Sequence, residues 1–190
     1  MGSSGSTPSP PDRPIRLGIV LVGDDHPRKC TGRRLVRLGL AVEVRPPRGG
    51  RARPVVLDPY ARLPLTAADR PRAEADGLVA IDCSWNRLSA RRERDEDAGV
   101  GVRGGANRRL PMLVASNPQH FGRLGELNTV EALAAALWLL GRPREAQRIL
   151  AGFAGGSAFL LLNRDRLDRY SHAASPDVLV REERAFFSEI

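Results

Sequence analysis

Asp82 closes a short apolar run, Leu78-Val79-Ala80-Ile81, and is followed by Cys83, Ser84 and Trp85. A carboxylate at the exit of a buried strand can serve as a general base, with its pKa raised if it is desolvated. Trp85 could cover a nucleobase or an adenine ring. The same residues also suit a strand-end turn with a core tryptophan, and both readings stand at this stage. Cys83 has no histidine near it in sequence and reads as a small core residue rather than a nucleophile.

Two further polar segments follow apolar runs in the same way. His26-Pro27-Arg28-Lys29-Cys30-Thr31-Gly32 ends in a Thr-Gly pair at the start of a helix. Free N–H groups and a hydroxyl there suit a carboxylate or a phosphate, although plain helix capping explains them equally. The spacing is not that of a phosphate-binding P-loop. Leu110 to Pro118 is followed by GRLGELNTVEA, a loop with two glycines before a capped helix. Backbone groups of such a loop could hold an adenosine, or the segment could be a simple crossover. His120 and His172 stand alone, which favours surface or capping roles. The acidic residues at 93–97 lie among arginines and pair most simply with them.

These segments need elements to hold them. IRLGIVLV (15–22), VVLD (55–58), GLVAIDCSW (77–85) and LPMLVASN (110–117) read as strands, and CTGRRLVRLGLA as a helix with Leu35, Leu38 and Leu40 as its apolar positions. Beyond residue 117 the pattern becomes helical. Asn128-Thr129-Val130-Glu131 has the form of a capping box, and EALAAALWLLG reads as a buried helix ended by Gly141. Pro143 opens another helix through about Phe153, AFLLLNRDRLDRYSHA gives a third, and PDVLVREERAFFSE a last one. Strands with crossovers followed by helices predict a mostly parallel α/β layer and then an α-helical region. Residues 1–13, rich in Ser, Gly and Pro, read as a disordered tail, 14–109 as the α/β part with basic loops, and 110–190 as the remainder. Residues 86–109 read as a long polar insertion loop.

With 190 residues and 42% hydrophobic content, the chain can build a core of its own. Its longest apolar run, Ala132 to Leu140, is far short of the ~20 residues that span a bilayer. The N-terminus lacks the basic and apolar regions of a signal peptide, so a cytoplasmic protein is expected. Two cysteines without a CxxC pair support neither a disulfide framework nor a zinc site. Lys and Arg number 30 against 22 acids, for a net charge of +8. Coding bias explains arginine over lysine but not the excess of bases over acids. From Arg28 to Arg53 the basic residues are Arg28, Lys29, Arg33, Arg34, Arg37, Arg45, Arg48, Arg51 and Arg53, against the single acid Glu43. A localised positive field of this kind favours a polyanion such as RNA.

DHPRKCTG (25–32), GLVAIDCSW (77–85) and RLPMLVASNP with GELNTVEALAAAL (109–137) occur in that order. In these motifs, and over about residues 16–175, the chain resembles the small-subunit rRNA aminocarboxypropyltransferase family of archaeal type. The resemblance implies a SPOUT-like, trefoil-knotted α/β fold with a helical C-terminal region. It implies S-adenosylmethionine as the donor of a 3-amino-3-carboxypropyl group, accepted at N3 of a plain or modified uridine or pseudouridine in small-subunit rRNA. By position in the motifs, Thr31, Ile81, Leu110, Gly125 and Thr129 would line the cofactor site, Asp82 would be the base and Trp85 would shape the site. No metal is required. Arg28, Lys29, Arg33, Arg34, Arg37, Arg48, Arg51 and Arg53 would face the RNA, and a monomer is expected. Family members often carry an aromatic residue where Gly125 stands, so only backbone contact is expected there. The other readings are a SPOUT-class rRNA methyltransferase and a non-catalytic assembly factor that binds rRNA through the basic segment.

Overall fold

The sheet grows from its most apolar segments. Leu17–Leu21 (β1) and Leu78–Asp82 (β4) pair in parallel along their full lengths, from Leu17 opposite Leu78 to Leu21 opposite Asp82. Val55–Leu57 (β3) pairs with the other edge of β4, Ala106–Arg108 (β5) with β3, and Val42–Glu43 (β2) with β1. The order is therefore β2-β1-β4-β3-β5, and every pairing is parallel. The structure is a computed structural model that describes residues 13–22, 30–46, 52–83, 85 and 104–188. Leu17, Ile19, Val55, Leu57, Leu78 and Ala80 point into the main core, while Val20, Val56 and Val79 form a smaller cluster on the other face. Burial on both faces is why the central strands read as unbroken apolar runs.

The helices are Thr31–Arg37 (α1), Arg70–Asp76 (α2), Thr129–Leu139 (α3), Pro143–Leu150 (α4), Gly156–Leu162 (α5), Arg164–Ser171 (α6) and Pro176–Ser188 (α7). The Asn128/Glu131 capping box is present at the start of α3, and Gly141 follows the helix with φ +73°. This helix is apolar nearly all round because it is enclosed by α1, β4, α4 and α6. Its residues share one core with the sheet and with Ile149, Phe159, Leu167, Tyr170 and Leu179 of the later helices. Among the described residues no helix is long and apolar enough to cross a membrane.

Several elements differ from the sequence reading. Helix α1 stops at Arg37: Leu38 caps it and is 50% exposed, and Gly39 turns the chain at φ +67°. The expected insertion loop contains β5, a three-residue polar strand too short to carry a periodicity. It is fixed from outside, by Arg108 on the buried Asp69 at 2.9 Å. Asp69 ends a 3-10 turn at Ala67–Asp69 that leads into α2, and neither this turn nor α2 was anticipated. The expected single helix after residue 157 breaks at Asn163 into α5 and α6. The expected strand at 110–117 is a ribbon outside the sheet. One edge is paired by the returning chain: Ala115 N–H donates to Arg123 O at 2.8 Å, Gly122 N–H to Ala115 O at 2.8 Å and Gly125 N–H to Leu113 O at 2.9 Å. The expected N-terminal tail falls almost wholly outside the described residues, as do residues 86–103.

Candidate active site at the carboxyl ends of β1 and β4

In open parallel sheets, ligands bind beyond the carboxyl ends of the strands. Because β1 and β4 run in register, the chain leaving β1 and the chain leaving β4 emerge side by side. The first leads to α1, the second to Asp82 and Trp85.

Asp82 organises the site. Its Oδ2 accepts hydrogen bonds from the Cys30 thiol at 2.6 Å and from Gly32 N–H at 3.0 Å, and its Oδ1 accepts one from the Thr129 hydroxyl at 2.7 Å. One half-buried carboxylate thus joins the cap of α1, its first turn and the first residue of α3. The three sequence motifs meet on it. Among the described residues all three partners are neutral donors, so the carboxylate keeps its net negative charge.

Gly32 is required by this approach. A Cβ there would lie 2.4 Å from Asp82 Oδ2 and 2.8 Å from Ile19 Cγ2. The Thr-Gly pair read as a ligand cradle is therefore partly spent within the protein. Cys30, which the sequence reading left without a role, is buried and caps α1, accepting from Arg33 N–H at 3.3 Å while donating to Asp82. Burial, reinforced by the hydrogen bond to Asp82, pushes its thiol up to about 11. It therefore stays protonated, as a donor must be.

Trp85 Nε1 donates to Leu127 O at 3.0 Å, which ties the exit of β4 to the loop entering α3. Thr31 and Ile81 are half-buried beside this junction by their place in the chain, next to Gly32 and Asp82. Leu110 and Gly125 belong to the ribbon and its return strand. Gly125 has φ +76°, and a Cβ there would come within 3.2 Å of Met112 Sδ, so both conformation and space favour glycine. Of the residues nominated from sequence, Thr31, Ile81, Asp82, Trp85 and Thr129 converge here, with Leu110 and Gly125 on the adjoining ribbon.

Among the described residues, the nominated basic side chains are spread over separate parts of the surface. Arg33 and Arg37 are exposed on α1. Arg34 is engaged in packing: it donates to Gly152 O at 2.7 Å and lies 4.8 Å from the centre of the Phe153 ring. Arg53 is exposed but precedes β3, whose first residue Val55 pairs with Leu78 at the amino end of β4. At ~3.3 Å per residue, this places it roughly 13 Å or more along the sheet from Asp82. Arg28, Lys29, Arg48 and Arg51 lie outside the described residues. The other arginine-rich segment offers little at its end, because Arg108 is paired with Asp69 and Arg109 with Glu183 at 2.8 Å.

Residues 55–187 match the family described as "Ribosome biogenesis protein, C-terminal". Residues 15–49 match "Possible Fer4-like domain in RNase L inhibitor, RLI". That segment holds one cysteine, Cys30, whereas a cluster of that type needs four thiolates. The 16S rRNA aminocarboxypropyltransferase of Methanopyrus kandleri is 40% identical over 87% of this chain and 95% of its own length. The enzyme of the same name from Halobacterium salinarum is 42% identical over 90% and 96%. The 18S rRNA aminocarboxypropyltransferase of Schizosaccharomyces pombe is 33% identical over 93% of this chain and 59% of its own. Among solved structures, the SAM-dependent rRNA:acp-transferase Tsr3 from Vulcanisaeta distributa superposes with a TM-score of 0.73 at 34% identity, over 92% of this chain and 98% of that one. With a family match over most of its length, near-complete relatives and the same fold, this chain belongs to the small-subunit rRNA aminocarboxypropyltransferase family.

Proposed function

We propose that the protein transfers the 3-amino-3-carboxypropyl group of S-adenosylmethionine to N3 of a uridine or pseudouridine in small-subunit rRNA. The observation that carries this reading is the Asp82 junction: an anionic group whose partners among the described residues are neutral, set where the three motif segments meet. Such a site suits a cationic sulfonium, and its half-buried surroundings, Ile81, Trp85, Leu110 and Gly125, suit an adenosine held by apolar and backbone contacts. S-adenosylmethionine would supply an alkyl group on a positively charged sulfur; the carbon in line with N3 forms the N–C bond as its C–S bond breaks, the electron pair goes to sulfur, and neutral methylthioadenosine leaves.

The chain's own residues would do three things. Thr31 holds the amino-acid end of the donor, turning the carboxypropyl carbon rather than the methyl toward the acceptor. Ile81, Leu110, Gly125 and Thr129 hold the nucleoside end, with Trp85 closing one side. Asp82 accepts the N3 proton. Among the described residues its three hydrogen bonds leave one lone-pair direction on Oδ1 for that proton, since each carboxylate oxygen can accept two.

Exposed Arg33 and Arg37, with Arg28 and Lys29 ahead of them in the chain, would bind the rRNA phosphates, and Arg48, Arg51 and Arg53 would add to the contact. Arg34 contributes charge from a fixed position. The backbone path is read as a SPOUT-like trefoil knot, with 14–109 supplying the sheet and 110–190 the ribbon and helices. A monomer acting in the cytoplasm completes the proposal. The test is mass analysis of small-subunit rRNA from cells with and without the intact gene, paired with calorimetry of S-adenosylmethionine binding. A product heavier by the aminocarboxypropyl group supports the reading. A methyl increment would make the protein a methyltransferase, and absence of S-adenosylmethionine binding would leave only an assembly role.

A further inference from the structure

The ribbon that carries Leu110 has two edges, and among the described residues only one is paired by backbone. Along the other, every second residue is gripped by a side chain from the helical half. Glu183 of α7 accepts from Met112 N–H at 2.8 Å while also pairing with both terminal nitrogens of Arg109. Tyr170 of α6 donates its hydroxyl to Met112 O at 3.4 Å. Asn163, fully buried between α5 and α6, accepts from Val114 N–H at 2.7 Å and donates to Val114 O at 2.8 Å, as a neighbouring strand would. Glu131 of α3 accepts from Ser116 N–H at 2.8 Å and from the Asn117 amide at 2.7 Å. Gly155, at φ +80°, lets α5 approach, for a Cβ there would lie 2.3 Å from Ser116 O.

A sheet edge is normally satisfied by another strand. Here the partners are four side chains drawn from α3, α6, α7 and the α5–α6 junction, with Gly155 leaving room for α5 to approach. Glu183 is the member placed at Leu110, because its two contacts, Arg109 and Met112, bracket that residue. It is 8% exposed and engages a backbone donor and a guanidinium at once.

We propose that Glu183 is a positioning residue: it fixes the path of the ribbon at Leu110 and thereby sets the affinity for S-adenosylmethionine, with Asn163 and Glu131 continuing the same grip toward α3. This rests on the functional reading above. It gives the helical C-terminal region a task in catalysis, which is to serve as the missing strand beside the donor-binding ribbon.

The experiment measures steady-state transfer, RNA affinity and thermal unfolding for the full chain carrying Glu183→Ala. The KM for S-adenosylmethionine is expected to rise about tenfold, the scale of one weakened contact to the donor, while kcat and RNA affinity stay within about twofold. The paired variant Arg109→Met with Glu183→Gln keeps an acceptor for Met112 N–H and removes both charges, so it should recover most of the lost affinity. Leu179→Val trims the same helix inside the core and lowers thermal stability without touching the ribbon, and its KM should not move. If Glu183→Ala does not fold, the comparison runs between Glu183→Gln alone, which sets an amide against Arg109, and the paired variant. An unchanged KM in the single variants, or an equal rise in Leu179→Val, overturns the inference. Wild-type protein that fails to bind S-adenosylmethionine overturns the functional reading itself and this inference with it.

Discussion

Replacing Asp82 separates two roles that the structure assigns to one carboxylate. Asp82→Ala removes the acceptor from Cys30, Gly32 and Thr129 at once. Hydrogen bonds to a charged group contribute ~1.5–3 kcal/mol each, and a stranded donor adds its own cost. The three bonds share one acceptor and are not additive, so the loss should be on the order of 3 kcal/mol. It should appear as a lower unfolding midpoint, and as weaker S-adenosylmethionine binding because α1 and α3 lose their common anchor. Sequence alone suggests that cofactor affinity would barely change. The clamp revises that expectation.

Asp82→Asn behaves differently. With its amide oxygen toward Gly32 and Cys30 and its NH2 toward the Thr129 hydroxyl, which can accept, asparagine keeps all three contacts. Only the charge and the basicity are lost. Stability should remain close to that of wild type, cofactor affinity should fall several-fold because the charge facing the sulfonium is gone, and kcat should fall further, on the order of 10²-fold or more, the size of a general-base contribution. Calorimetry, thermal unfolding and single-turnover transfer at neutral pH decide the matter. Near-full activity in Asp82→Asn would refute the base assignment and leave a purely structural clamp. Unchanged stability and affinity in Asp82→Ala would refute the clamp.

Gly32→Ala should destabilise the protein by ~1–3 kcal/mol and weaken cofactor binding, because its Cβ would fall 2.4 Å from Asp82 Oδ2; thermal unfolding and calorimetry check this. Neutralising Arg33 and Arg37 together should lower the slope of log RNA affinity against log salt by about 2, whereas Arg108→Ala should leave the slope unchanged and cost stability through Asp69. Cys30 is protonated in the folded state to about pH 11, against 9.0 when unperturbed. Its folded-state value is the raised one, so its contribution is complete below about pH 9 and is lost as pH rises toward 11, on the order of 2 kcal/mol in all. Denaturant melts across that window should show a step that Cys30→Ser removes.

The ingredients of the site were legible in the sequence, because each is announced by a local pattern. Asp82 follows an apolar strand, Thr31 and Gly32 open a helix, and Thr129 follows a capping asparagine. Strands β1, β3 and β4 showed themselves through continuous apolar runs, since a strand buried on both faces has no polar face to display. The capping box at α3 was equally explicit, being made wholly from residues 128–131. That the motifs belong together came from resemblance, not from any property of the residues taken singly.

Tertiary structure decided the rest, wherever a partner lies far away in sequence. The register of β1 against β4 brings Cys30 and Gly32 to Asp82, about fifty residues on, and only this contact turns an ordinary Thr-Gly helix start into an anchor. Segment 110–117 has the composition of a strand, but it takes side chains from residues 131, 163 and 183 as its second edge, which no local periodicity encodes. Strand β5 is polar and three residues long, and pairing with β3 and the Arg108–Asp69 bridge make it a strand. Sequence neighbourhood does not carry over for the described basic residues Arg33 and Arg53. The parallel crossover carries Arg53 to the amino end of the sheet, away from Arg33, because each new parallel strand must begin at the end opposite the one where the last finished.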